Sequence, residues 1–305
     1  MPGSPSFGGT IGSRSSIRSD PLPPPATVPV PRMSSGEVLS LLAGMGLRPS
    51  RAMGQNFLTD LHALQALVDL IHPLPGQRIL EVGPGLGALT LPLLLGGARV
   101  VAVEKDPRLH RHLARELAGW VTLDLREGDV MDLGPAALLA EGPDRVAANL
   151  PYSISSRFLV DCVEAPHPPR DLVLTVQKEV AERLAAAPGG KDYGLVSVLV
   201  RANYRVAIHR RLSRGCFTPA PQVESAIVRI ERRETPRLPP GPVRARFKQL
   251  VKAGFGQRRK QLQTALRPLA GREAADRLLA VGIQPAQRAE TVAVEQWIAL
   301  AEAWG

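Results

Sequence analysis

The sequence predicts an α/β fold, a mostly parallel sheet with helices on both faces, followed by a small all-α C-terminal domain. Three observations predict it. Short apolar runs alternate with helical patterns between residues 78 and 176. Those runs are apolar on consecutive positions, as in strands buried on both faces. From Val243 onward the pattern is helical to the end, with no strand signal.

Each element has its own signature. Gly36 to Gly46 reads as a short helix closed by glycine. The stretch Arg51 to Leu58 is too irregular for a regular element. Thr59 or Asp60 caps a helix to about Ile71, with Leu61, Leu64, Leu67, Val68 and Ile71 at helical spacing. Strands are expected at 78–82, 99–103, 121–126, 145–148 and 172–176. Helices are expected between them at 87–95, 107–117, 134–140 and 153–163, with Pro107 in a first turn. Runs at 204–208 and 223–230 add a hairpin at the sheet edge. A proline-rich break at Pro236, Pro239, Pro240 and Pro242 separates the helical tail. The organisation is therefore an arm (1–33), an α/β domain (34–235) and a helical domain (236–305). The arm is rich in Pro, Ser and Gly and cannot bury a core, so disorder is expected. Arg14 and Arg18 among serines leave an organelle transit peptide open as a weaker alternative.

The chain has 305 residues, 44% of them apolar and 22% charged, an ordinary globular composition. No run of 18 apolar residues suggests a membrane span. Cys162 and Cys216 are far apart and form neither a disulfide framework nor a metal motif. They fit a reducing cytoplasm, and no metal is expected. His110 and His112 lie two apart, the wrong spacing for a helical metal pair. The net charge is +10, but it is uneven. Residues 201–260 hold 16 Lys and Arg against 3 Asp and Glu, so the other 245 residues carry a net −3. That segment is either a solvated arginine-rich surface or a face for an anionic polymer.

Glu81-Val82-Gly83-Pro84-Gly85-Leu86-Gly87-Ala88 joins the first expected strand to its helix. Glycines allow a tight turn and close approach of a ligand. Glu104, at the end of the next strand, can accept both hydroxyls of a ribose. Gly83, Gly85 and Ala88 also satisfy the dinucleotide pattern G-x-G-x-x-A. Pro84 argues against that reading, because it has no N–H to offer a pyrophosphate. Glu81 would set a carboxylate near the ligand, which suits a cationic tail better than a diphosphate. Asp129, after the third strand, can accept from an adenine amino group. The three motifs in order resemble the Rossmann-like class I methyltransferases, which use S-adenosyl-L-methionine.

Asn149-Leu150-Pro151-Tyr152 follows the fourth strand, in the crevice at the carboxyl ends of the strands. An exocyclic amino group is a poor nucleophile because its lone pair is delocalised into the ring. If the Asn149 side-chain oxygen and the Leu150 carbonyl each accept one N–H, they favour charge on that nitrogen and aim its lone pair. Pro151 fixes the backbone that offers the carbonyl, and Tyr152 can stack on the base for roughly 1–3 kcal/mol. A helix start, with Ser153 as cap and Asn-Pro as turn, is the bland alternative.

With these motifs in place, the chain resembles the 16S ribosomal RNA adenine dimethyltransferases, the KsgA/RsmA family. The resemblance is carried by Gly54 to Leu58, Glu81 to Thr90, Val103-Glu104, Gly128-Asp129, Asn149 to Tyr152, Val176 to Val180, Phe217 to Pro221 and Gly256 to Lys260. It implies a cofactor site of Asn56, Leu58, Gly83, Gly85, Glu104, Asp129 and Asn149. It implies that Phe217 holds the base face opposite Tyr152. It further implies dimethylation at N6 of two adjacent adenines near the 3′ end of small-subunit rRNA, within a 30S assembly particle. Glu224 stands where the family usually has Asp, which preserves the charge.

The resemblance also gives the basic segment a use. Arg244, Arg246, Lys248, Lys252, Arg258, Arg259 and Lys260 are expected to meet RNA phosphates at the seam of the two domains. A monomer in the cytoplasm is expected. The competing readings are an amino-methyltransferase of another nucleic acid, an assembly checkpoint factor with secondary methylation, and, more distantly, a nicotinamide-dependent reductase.

Overall fold

The computed structural model describes residues 28–48, 55–238 and 240–304. Gly54, Arg51 to Met53, Pro239 and arm residues 1–27, with Arg14 and Arg18, lie outside the described residues.

The chain begins with helix α1 (Ser35–Gly44), capped by Ser34, whose hydroxyl accepts from the Glu37 N–H while Glu37 bonds back. A two-residue strand β1 (Phe57–Leu58) precedes helix α2 (Leu61–Ile71), which Asp60 caps. The α/β alternation then follows as β2 (Arg78–Val82), α3 (Thr90–Leu95), β3 (Arg99–Glu104), α4 (Pro107–Glu116) and β4 (Leu123–Glu127). Next come α5 (Val130–Leu133), α6 (Pro135–Ala140), β5 (Arg145–Asn149), α7 (Ser155–Val163), β6 (Asp171–Gln177) and α8 (Lys178–Ala185). Helix α9 (Leu195–Asn203) leads to β7 (Tyr204–Leu212), the short β8 (Phe217–Thr218) and β9 (Ser225–Arg232). Helices α10 (Pro242–Gly256), α11 (Leu262–Ala270), α12 (Ala274–Ala280) and α13 (Val294–Ala303) complete the chain.

The seven-stranded sheet has the order β4-β3-β2-β5-β6-β9-β7. Strands β2 to β6 pair in parallel, and β9 and β7 add antiparallel. The parallel core needs helical crossovers, which is why its strands are apolar on both faces. Leu80, Val101, Val146 and Leu172 pack on one side, Ile79, Val100, Ala147 and Val173 on the other. The expected hairpin is present, but its second strand, β9, is inserted between β6 and β7.

Three expectations are corrected. The helix read from Gly87 starts at Thr90, because Gly83, Gly85 and Gly87 all hold positive φ and keep the loop out of the helix. The strand read from 121 starts at Leu123, and Val121 is 99% exposed. The irregular stretch before α2 contains β1, which pairs antiparallel with β8, Phe57 against Thr218 and Leu58 against Phe217. The last residues of the arm also lie on the fold. Val28 and Val30 pack against α2's core, and the Val28 carbonyl accepts from Gln65 at 3.1 Å.

Helices α10 to α13 close a separate core with α9. Tyr193, Leu199, Phe247, Leu250 and Trp297 are all buried in it. The helical segment is therefore seated on a helix of the α/β part rather than strung after it.

Candidate functional site

A cavity of about 250 Å³ opens at the carboxyl ends of β2, β3 and β5. Asn56, Leu58, Gly83, Gly85, Glu104, Asp129 and Asn149 all line it. Sheet order explains the convergence. β2 lies between β3 and β5, in the middle of the five parallel strands, so the loop after it, the end of β3 and the turn after β5 meet at one crevice.

Glu104 is almost buried, and each carboxylate oxygen accepts one backbone N–H, from Gly85 at 3.0 Å and Asp106 at 2.9 Å. Burial raises its carboxyl above the usual range, against the lowering by these two bonds. Each oxygen keeps a lone pair for a further donor. Asp129 caps α5 by accepting from Met131 N–H at 2.8 Å, and its other oxygen pairs with Lys105 at 2.7 Å. The lysine lowers the Asp129 carboxyl, so this group is charged at neutral pH. Lys105 is 61% exposed, so the pair is cheap to rearrange around a ligand.

Glu81 is the strongest polar feature of the cavity. It is 1% exposed, and its Oε2 has no hydrogen-bond partner among the described residues. Burial pushes its carboxyl up to about 8; the Thr90 hydroxyl opposes that rise and Glu104 adds to it. Thr90 lies near enough to act electrostatically, yet its hydroxyl makes no hydrogen bond of ordinary geometry. An orphaned carboxylate oxygen at a cavity wall fits a cationic group of a ligand. With Glu104 for a ribose, the residues fit an adenosyl sulfonium with an amino-acid tail.

The Asn149 turn sits on the lip. Asn149 Nδ2 donates to the Asn56 carbonyl at 2.7 Å. Only the NH₂ end can donate to a carbonyl, so Oδ1 remains available as an acceptor. The Leu150 N–H bonds the Thr175 carbonyl at 3.1 Å, which pins the turn to β6. Pro151 also lines the cavity, and its carbonyl accepts from the Ser155 hydroxyl at 3.1 Å. The Tyr152 phenol is held by Ser225 Oγ at 2.5 Å, and burial raises it above the usual tyrosine range.

Two expectations do not match these positions. Phe217 is 3% exposed and packs with Leu58, Leu212 and Ile227, so its ring belongs to the core and does not line the cavity. The reason is its pairing with Leu58 in the β1–β8 ribbon. The basic residues are also partly spent inside the fold. Arg244 donates to the Val163 carbonyl at 2.6 Å, and Lys248 pairs with Glu164 at 3.1 Å. Arg246 donates to Ala301, and Arg258 pairs with Glu290 and donates to the Lys191 carbonyl. Lys252, Arg259 and Lys260 are exposed and make no ion pair among the described residues. Sequence reasoning missed Met33 and Val38, which reach the same cavity. Val38 shows only the apolar spacing of α1, which any packed helix gives, and Met33, just before the cap Ser34, shows no pattern at all.

The profile of the family described as Ribosomal RNA adenine dimethylase matches residues 47–304. The chain belongs to that family. It is 40% identical over 269 residues to Ribosomal RNA small subunit methyltransferase A of Geobacter metallireducens, covering 86% of this chain and 98% of the relative. The protein of the same name from Deinococcus radiodurans is 41% identical over 288 residues, covering 93% and 96%. Among solved structures, the 23S rRNA methyltransferase ErmE superposes with TM-score 0.63 at 28% identity, covering 81% of this chain and 99% of that one. A dimethyladenosine transferase from Plasmodium falciparum gives 0.69 at 23% identity over 80% and 95%, which supports the fold. The dimethylase family fixes the class of reaction: methyl transfer from S-adenosyl-L-methionine to adenine of ribosomal RNA.

Proposed function

We propose that this protein dimethylates N6 of two adjacent adenines near the 3′ end of small-subunit rRNA, in the cytoplasm, as a monomer acting on a 30S assembly particle. One observation carries the site assignment. The Asn149 amide, its NH₂ end held by the Asn56 carbonyl and its oxygen kept as an acceptor, lines the same cavity as Glu81 and Glu104. When bound, the cofactor supplies an electrophilic methyl group. Asn149 Oδ1 and the Leu150 carbonyl accept the two amino protons of the target adenine, which concentrates electron density on its nitrogen. Tyr152, its phenol tethered at Ser225, offers a ring face for the base, which must leave its stack to reach the lip. Pro151 keeps the accepting carbonyl still. Relatives named for the small subunit, at about 40% identity along nearly their whole length, support the choice of substrate.

The test is methyl transfer from labelled cofactor to unmethylated small subunits, followed by digestion and mass spectrometry of the nucleosides. Dimethyladenosine at two adjacent positions is the expected result. The likeness to ErmE favours one alternative, adenine methylation in the large-subunit rRNA. Label entering only naked large-subunit rRNA would move the assignment there.

A further inference from the structure

We infer that the protein carries a second RNA-phosphate site, built from Arg201, Arg205, Arg233 and Arg237 at the end of the sheet opposite the cofactor cavity. This rests on the reading above that ribosomal RNA is the substrate.

The placement follows from topology. β7 and β6 both run antiparallel to β9, so β7 runs parallel to β6. Its Leu212 end lies at the cavity end of the sheet and its Tyr204 end at the far end. Arg201 sits in the last turn of α9, Arg205 one residue into β7, Arg233 just past β9 and Arg237 on the connection to α10. Asn203 ties these segments together. Its carbonyl accepts from Arg233 N–H at 2.8 Å, and its amide bonds both the N–H and the carbonyl of Leu238 at 2.9 Å.

The result is a cluster of like charges. Burial lowers the proton affinity of Arg233, and Arg237, Arg205 and Arg201 lower it further. Arg233 Nε is buried without an acceptor among the described residues. Arg201 spends one N–H on the Ala186 carbonyl. The acid drawn into the cluster is Glu295, which pairs with Arg237 and is held charged partly by Arg237 and Arg201. Glu231 faces Arg205 across the ladder but bonds Arg229 at 3.3 Å, and Glu234 is exposed beside Arg233. Arg205 and Arg237 are open to solvent. Crowded guanidinium groups are relieved by an anion with several acceptor oxygens, and a phosphodiester offers them in bidentate geometry. Glu295 is then the internal carboxylate that occupies the site in the free protein. Along β7, about 30 Å of edge strand runs back towards the cavity end and carries Arg210, which donates to the His62 carbonyl at 3.1 Å, and Arg211, which pairs with Glu182 at 3.2 Å. RNA reaching from the target adenines to the cluster would follow that edge.

The experiment measures binding of the full-length protein to unmethylated small subunits across a salt series, for wild type, Arg205→Gln/Arg237→Gln and Glu295→Gln. Thermal melts check that each is folded. The double variant is expected to bind ~10-fold more weakly, with the slope of log affinity against log salt reduced by about one to two. Glu295→Gln is expected to bind more tightly, because it vacates the arginines. An unchanged slope in the folded double variant, or no gain on Glu295→Gln, overturns the inference and leaves the cluster a structural clamp. Inorganic phosphate displacing Glu295 without any change in the RNA slope would overturn it too. Failure of the wild-type protein to bind the subunits at any salt removes the functional reading itself, and this site with it.

Discussion

Asn149 and Glu81 line the same cavity from the neighbouring strands β5 and β2. The Asn149 amide is locked by one hydrogen bond to Asn56, so its acceptor oxygen is preorganised before substrate arrives. Asn149→Ala is expected to lower the rate of methyl transfer by roughly 10²–10³ while the melting temperature stays close to wild type. A near-normal single-turnover rate would refute the role given to this residue. Glu81 acts through its proton. The folded carboxyl holds the proton up to about pH 8, whereas its ordinary value is 4.5. Stability tied to this group is therefore full below 4.5 and is lost as pH rises through about 8, by up to about 1.4 kcal/mol per unit. A cationic ligand favours the carboxylate, so cofactor affinity is expected to climb with pH through that same window. Glu81→Gln should flatten both the melting profile and the affinity profile. Calorimetric titration of the cofactor from pH 6 to 9 checks this, and a flat wild-type curve would rule it out.

At the scale of elements, α10 crosses α13 closely enough that only glycine fits at the contact. A Cβ on Gly254 would lie 2.6 Å from Trp297 Cη2 and 3.3 Å from the Ala289 methyl. Trp297 is fully buried and cannot swing away. Gly254→Ala should cost about 1–3 kcal/mol by overpacking, seen as a lower melting temperature. Gly256→Ala, with open space around it, should be nearly silent. The same packing explains what could be read in the chain. β2, β3, β5 and β6 were legible because burial on both faces makes their runs uniformly apolar. The loop, Glu104 and the Asn149 turn were legible because each ends such a strand, and strand ends share one rim; Asp129 follows β4, a half-exposed edge strand, and was legible from its Gly-Asp pair. α9, Leu-Val-Ser-Val-Leu-Val-Arg-Ala-Asn, was not assigned from the sequence: five of its first six residues are apolar and three are valine, as in a buried strand, and it is covered by the α/β core on one side and by the helical core on the other. β1 is a strand only through β8, some 160 residues away, and no local pattern announces such a partner. That ribbon also took Phe217 into the core.

At the scale of the molecule, the basic segment has two jobs that sequence alone merged. Arg244 and Lys248 bind the end of α7, and Arg258 binds the loop before α9, so these cations hold the helical segment on the sheet. The Arg244 guanidinium is only 19% exposed and satisfies the Val163 carbonyl, so its loss leaves a buried acceptor unpaired. Lys252, Arg259 and Lys260 face solvent and make no ion pair among the described residues. The two groups should therefore separate in experiment. Arg244→Met is expected to lower stability by about 1–3 kcal/mol and to leave the salt slope of RNA binding near wild type. Lys252→Ala/Arg259→Ala/Lys260→Ala is expected to do the reverse, melting normally while the slope falls by roughly two to three. A slope that drops with Arg244→Met at a normal melting temperature would place that residue on the RNA after all. It would also mean that the seam opens on binding, since the Val163 carbonyl must give up its donor before a phosphate can take it.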